Sequence, residues 1–358
     1  MIFFSCNNIE HNKVNGHYFG KGLQIRMKII DLENHFYSDF LLEALSERTE
    51  PPYYRIVGED CFLHYNHMVA FKDTLIPKLV EIGEKRIEYL KENGIDAAVL
   101  CSSGCGEQLD VDVSIDVCRN TNDMIGALTK EFPGIYYGSA MLPVNDPEAA
   151  CEELERCVKE YGFVCWHTHS NYGENHPEDE KYWPIFKKAA DLGVYVYLHP
   201  HMPVEDRLCD LGFTFAGPGL GFTVDTATTA LRMIVKGIFD EIPNLKVVLG
   251  HLGEGIPPLL ERIDNRLSFV PNPHVKSKHT VEYYFNNNIY VTTSGNLSYN
   301  SFDAAVDKMG IDRVLFATDY PYEGVEEMME FVRSIPLSEE DRKKLYYENA
   351  VNELNIKF

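Results

Sequence analysis

The sequence predicts an α/β fold, a (β/α)8 barrel with insertions on its C-terminal face. Eight short, nearly continuous apolar runs recur along the chain, as expected of parallel strands covered on both faces. Segments of helical period separate them, and 358 residues is a length that one barrel domain of this kind reaches. A doubly wound open sheet is the alternative, but no G-x-G-x-x-G follows the first run.

The runs, in order, are KIIDLE (28–33), DAAVLC (96–101), IYYGSAM (135–141), GFVCWH (162–167), VYVYLH (194–199), KVVLGH (246–251), NIYVTT (288–293) and RVLFATD (313–319). Between the first two, LVEIGEKRIEYLKENG places Leu79, Ile82, Ile87 and Leu90 on one helical face and stops at Gly94. Asp146-Pro147 supplies an N-cap and a first-turn proline for EAACEELERCVKEYG, which ends at Gly162. Ser338 and Asp341 approximate a capping box for a last helix. Two connections are long, 36–75 and 200–225, and in a barrel both lie on the face where active sites are built. Residues 27–358 therefore read as a single domain.

Composition excludes several classes. The formal net charge of −22 argues against nucleic acid and against an anionic membrane surface. No apolar stretch approaches the ~18 residues of a spanning helix. The nine cysteines are an odd, scattered set, which reads as free thiols in a reducing cytoplasm; Cys101 and Cys105 form an isolated C-x-x-x-C.

Polar residues collect at the ends of the runs. The first ends on Glu33 and His35, which share a face because a strand repeats every two residues. The fourth ends on His167 and His169, the fifth on His199, the sixth on His251 and the eighth on Asp319. Each alone reads as easily as a hydrogen-bonded rim histidine or a helix cap. Together, on one rim of a barrel, they point to a metal or catalytic centre. Glu33, His35, His199 and Asp319 make two imidazoles and two carboxylates without a cysteine, a set that suits Zn²⁺ or Mn²⁺, the carboxylates leaning towards Mn²⁺.

The segments LENHF, YLHP, GLGFTVDTATTALRMI, LGHLGEGIP, YVTTSGN and DRVLFATDYPY resemble the amidohydrolase superfamily. Within it they are similar to the metal-dependent decarboxylases of the γ-resorcylate, 5-carboxyvanillate and aminocarboxymuconate-semialdehyde type. The resemblance implies that Glu33, His35, His199 and Asp319 bind one divalent metal, with no organic cofactor, and that His251 is a catalytic residue rather than a ligand. Two-metal members carry a bridging Lys or Glu on strand four, where this chain has Cys165 and Trp166. Glu-x-His in place of His-x-His matches the resorcylate type. The loop CSSGCGEQLD (101–110) departs from relatives, and WHTHSNYG aligns His169 with the family's strand-four histidine, with His167 the alternative register. The resemblance also implies a homodimer or homotetramer.

The implied reaction is non-oxidative loss of CO₂ from an ortho-hydroxybenzoate-like acid. Chelation would hold its phenolate and carboxylate together, and the ring would be protonated at the carboxyl-bearing carbon. Asp319 is the expected proton donor, His251 its partner, and Glu254 the group that orients His251. His169 and Arg262 are the candidates for the substrate carboxylate; Arg262 reads equally as a solvated helix salt bridge. Arg232 reads as structural. Phe36 and Trp166 read either as walls for a flat ring or as core. The alternatives on the same barrel are a metal-dependent hydrolase of a lactone or amide, and a hydratase.

The first 26 residues are polar and Asn-rich and lack the pattern of a secretory signal. They read as a tail, or as preceding a native start at Met27; we take the second. Intact-mass measurement of the native protein is expected to place its start at Met27, and a mass that includes Met1 contradicts this.

Overall fold

Eight strands with two apolar faces can bury both under helices in an open sheet or by closing into a barrel, and here they close. The computed structural model describes residues 26–58, 60–65, 68–72, 75–104 and 106–358. The expected tail lies outside these apart from Arg26, as does Cys105. The barrel strands are β1 (Ile30–Phe36), β5 (Ala97–Ser102), β6 (Tyr136–Ala140), β7 (Cys165–His169), β8 (Tyr195–His199), β9 (Val247–Leu249), β10 (Ile289–Thr292) and β11 (Val314–Leu315). Between β1 and β5 come β2 (Tyr53–Val57), β3 (Asp60–Tyr65) and β4 (Met68–Lys72), a separate antiparallel sheet.

The barrel strands pair in parallel in chain order from β1 to β11. The ends of that row meet: Leu32 N donates to Phe316 O at 3.2 Å and His35 N to Tyr320 O at 2.6 Å. This contact excludes the open-sheet alternative. Past Leu315 the Thr293 side chain replaces the β10 backbone as partner, its Oγ1 accepting from Ala317 N at 3.1 Å and donating to Ala317 O at 2.9 Å. Ile30, Leu32, Val99, Tyr195, Val248 and Tyr290 fill the interior together with Leu354 and Ile356 of the C-terminal segment. Tyr290 Oη donates to Glu353 at 2.7 Å, so that segment closes the end of the barrel opposite the site.

β1 contains the irregularity on which the site depends. Its register with β5 shifts between Asp31 and Asn34. Without this bulge, strict alternation would put Glu33 on the face opposite Ile30 and Leu32. With it, Leu32 packs in the interior core and His35 pairs level with the inward Cys101. Asp31 holds the bulge: its carboxylate accepts from Glu33 N (3.1 Å), Asn34 Nδ2 (3.1 Å), Thr318 N (2.9 Å) and Thr318 Oγ1 (2.6 Å). Burial pushes its pKa up to about 6 against those hydrogen bonds. Arg86, also buried, donates to Asn34 Oδ1 at 2.9 Å and to His35 O at 2.6 Å.

The helix read across 79–94 is in fact two, Ile76–Val80 and Glu84–Glu92, interrupted at Glu81–Gly83. The break turns the carbonyl of Lys78 onto Arg86, a tertiary partner that periodicity cannot display. The other caps form as read: Asp146 accepts from Glu148 N and Ala149 N, Gly162 adopts φ 71°, and Ser338 accepts from Asp341 N. Phe36 and Trp166 are fully buried core side chains, the latter against Phe186 at 4.8 Å between ring centroids. Arg232 pairs with buried Glu178. The seven cysteines among the described residues are all free, and no helix of these residues is long and apolar enough to cross a membrane.

Replacing Asp31 by Ala strands up to four donors in the interior. Denaturant unfolding of metal-free Asp31→Ala is expected to show a loss of about 2–4 kcal/mol; a loss below about 0.5 kcal/mol contradicts the role given to this carboxylate.

Candidate metal centre and active site

The bulge, the end of β8 and the chain after β11 bring Glu33, His35, His199 and Asp319 together. Each offers one ligand atom, and the four atoms all lie within 4.8 Å of one another. His35 Nε2 is 3.2 Å from Glu33 Oε1 and 3.1 Å from Asp319 Oδ1, and His199 Nε2 is 3.3 Å from Glu33 Oε1. His199 Nδ1 donates to Pro200 O at 2.7 Å, which fixes the tautomer that leaves Nε2 bare for a cation.

The electrostatics of the cluster ask for positive charge. Asp319 Oδ1 is buried without a hydrogen-bond partner despite its closeness to His35. Burial would raise Glu33, yet His199 and His35 hold it well below the usual carboxylate range. Burial would lower His35, yet Asp319 and Glu33 push it up to about 9. Burial draws His199 down to about 4 against Glu33. Carboxylates that draw a proton onto a buried imidazole fit a divalent ion in that proton's place.

Glu33 has a second support that sequence reasoning missed. Tyr197 Oη donates to Glu33 Oε2 and lies 2.9 Å from Thr292 Oγ1, which continues at 2.9 Å to Ser294 Oγ. The signal was in the period of two: Tyr195, Tyr197 and His199 share the inward face, and a buried tyrosine hydroxyl needs a partner.

His251 approaches from the end of β9. Its Nδ1 lies 2.7 Å from Glu254 Oε1, and its Nε2 faces Asp319 Oδ2 at 3.7 Å. Burial opposes protonation of His251, but Glu254 and Asp319 raise its pKa well above the ordinary value. Burial and Glu33 raise Asp319, while His251 and His35 lower it, and the balance is a lowered carboxyl. His251, Leu252 and Glu254 have φ of 52°, 57° and 54°, and Asp319 has 65°, a concentration of left-handed backbone where His251 meets Asp319. Gly295 makes the approach possible: a Cβ there would stand 2.5 Å from His251 Cδ2 and 2.9 Å from Nε2.

Beyond these residues lies a cavity of about 360 Å³, large enough for a substituted benzene ring. Its aromatic walls are Tyr37, Tyr65, Phe213, Phe222 and Tyr322, not Phe36 and Trp166. The 36–75 and 200–225 connections thus supply four of these five aromatic walls. His169 lines it too, but both its ring nitrogens are engaged: Nδ1 with Glu107 Oε1 at 2.6 Å, and Nε2 as acceptor from Gly104 N at 3.0 Å. As an acceptor at Nε2, it has no N–H to give a substrate carboxylate. Arg262 is exposed on helix Leu260–Leu267 and does not line the cavity. No Lys or Arg does so among the described residues.

Comparison with known proteins places this geometry. The amidohydrolase family model matches residues 80–354. The chain is 35% identical over 286 residues to γ-resorcylate decarboxylase of a Polaromonas species, covering 77% of this chain and 88% of that one. The crystal structure of 2,6-dihydroxybenzoate decarboxylase from Rhizobium superposes with a TM-score of 0.80 at 30% identity, covering 92% of this chain and 99% of that one. A Polaromonas dihydroxybenzoic acid decarboxylase, with bound manganese and the inhibitor 2-nitroresorcinol, gives 0.78 at 32% identity and covers 92% and 98%. The chain belongs to the amidohydrolase family and, within it, to the carboxy-lyases that decarboxylate aromatic acids.

Proposed function

We propose that this chain removes CO₂ from a benzoate bearing an ortho hydroxyl, with one divalent ion at Glu33, His35, His199 and Asp319. The observation that carries this reading is Asp319: one carboxylate oxygen, without a hydrogen-bond partner, faces the ligand cluster and the other faces His251. A group so placed would meet both a bound ion and the proton source. Relatives with solved structures bind manganese, and two carboxylates suit Mn²⁺ here, with Zn²⁺ the alternative.

The bound ion would supply positive charge against the substrate's phenolate and carboxylate oxygens. The rest of the work falls to the chain. The aromatic walls hold the ring flat and limit water. Glu254 fixes His251 so that a proton on Nε2 points at Asp319 Oδ2. That proton passes through Asp319 to the carboxyl-bearing ring carbon. The C–C bond then breaks, its electron pair restores the aromatic ring, CO₂ leaves, and His251 takes a fresh proton from solvent. His169 forms wall rather than donor in this arrangement. Arg262 has no part in it within one chain, so the cation and protonated His251 meet the substrate's charge.

His251→Ala and Asp319→Asn are each expected to lower kcat for CO₂ release from 2,6-dihydroxybenzoate by about 10²–10⁴-fold. Metal analysis of each variant separates a lost proton path from a lost ion. Full activity in either variant contradicts the assignment.

A further inference from the structure

His201, two residues past His199 on the chain leaving β8, has no part in the chemistry above. It lines the cavity, is only 7% exposed, and its Nε2 has no hydrogen-bond partner. The other ring nitrogen is fixed, with Nδ1 3.2 Å from Asn171 Oδ1. Asn171 cannot be turned over, because its Nδ2 donates to Met202 O at 3.0 Å and to Asp225 Oδ2 at 2.9 Å, and a carbonyl oxygen only accepts. Asn171 Oδ1 therefore accepts from Nδ1–H. The ring, buried with a neutral amide as its partner, is uncharged, so Nε2 keeps a bare lone pair. The backbone holds the ring in place: His201 N donates to Ser170 Oγ at 2.9 Å, and Ser170 Oγ donates in turn to Asp225. Gly104 leaves space beside the lone pair, since a Cβ there would stand 3.2 Å from His201 Cδ2 and 3.4 Å from Nε2. A leucine or phenylalanine at 201 would fill this wall without stranding an acceptor.

We infer that His201 Nε2 accepts a hydrogen bond from a second hydroxyl on the substrate ring, and so selects a dihydroxybenzoate over a ring with no donor there. His201 stands outside the cluster of ligand atoms. The His169 ring contacts both, its centroid 5.6 Å from His199 and 5.7 Å from His201. Chelation uses the carboxyl-bearing carbon and its hydroxylated neighbour, which leaves the opposite ring edge, positions 4 and 5, to meet His201. A bare acceptor there favours a ring O–H and disfavours an ether or a second carboxylate, neither of which brings it a proton. The inference rests on the proposed decarboxylation and names its substrate more closely.

The test measures kcat/KM for CO₂ release from 2,4- and 2,5-dihydroxybenzoate. Each is set against analogues in which the 4- or 5-hydroxyl becomes methoxy, which keeps the electron donation, or fluorine, which keeps the size. At one of the two positions the wild type is expected to favour hydroxyl over both replacements by at least about tenfold. In His201→Phe that preference is expected to shrink to about threefold or less, and His201→Gln, whose amide oxygen accepts, to restore part of it. Because ratios are compared within one protein, a change in ion binding common to all substrates cancels. Absence of the preference in the wild type overturns the inference and leaves decarboxylation standing. So does a preference that His201→Phe keeps in full, or activity confined to 2,6-dihydroxybenzoate. If both variants fail to fold, the wild-type preference decides alone. A wild type that releases CO₂ from none of these acids overturns this inference and the proposed function together.

Discussion

The pairing of Glu33 and Asp319 across His35, in a largely buried cluster at the floor of the cavity, is the interaction on which the rest of the structure depends. Two carboxylates cannot stand fully buried beside one neutral imidazole without strong cost. In the chain alone, a proton drawn onto His35 relieves the repulsion. A divalent ion relieves it better, and the bare Nε2 of His199 and the unpartnered Oδ1 of Asp319 face the place where it would sit. On the proposed reading, stability, metal affinity and proton supply draw on one small group of atoms.

That group is held by a frame of ordinary hydrogen bonds. Asp31 ties the bulge of β1 to Thr318, one residue before Asp319, so the two strands that close the barrel also carry the two carboxylates. Arg86 braces the same bulge from outside through Asn34 and the carbonyl of His35. Gly295 leaves the space in which His251 meets Asp319. None of these is one of the proposed reacting groups; each fixes where a proposed reacting group lies, which is what a constellation drawn from several strands requires.

Much of this was legible in the sequence, for physical reasons. Parallel strands buried on both faces must be apolar throughout, so all eight stood out, and polar residues at their ends stood out against them. Glu33, His35, His199 and Asp319 were visible in that way. The bulge was not: alternation within 28–33 predicts a regular strand, and only the pairing with β5 reveals the extra residue. The same holds for Arg86, whose partners come from other elements, and for the antiparallel sheet of β2 to β4 inside the first long connection. Phe36 and Trp166 show the converse. Position near a rim made them candidates for the cavity, but their side chains pack in the core outside the barrel, and aromatic residues mostly from the two long connections take that place.

The most direct test of the account is a metal titration read out as chemistry. The protein is stripped with a chelator, Mn²⁺ or Zn²⁺ is restored stepwise, and bound ion and CO₂ release from 2,6-dihydroxybenzoate are measured on the same samples. The account predicts one ion per chain at saturation, with CO₂ release rising in proportion to occupancy from a baseline near zero. Undiminished CO₂ release by the stripped protein would contradict it.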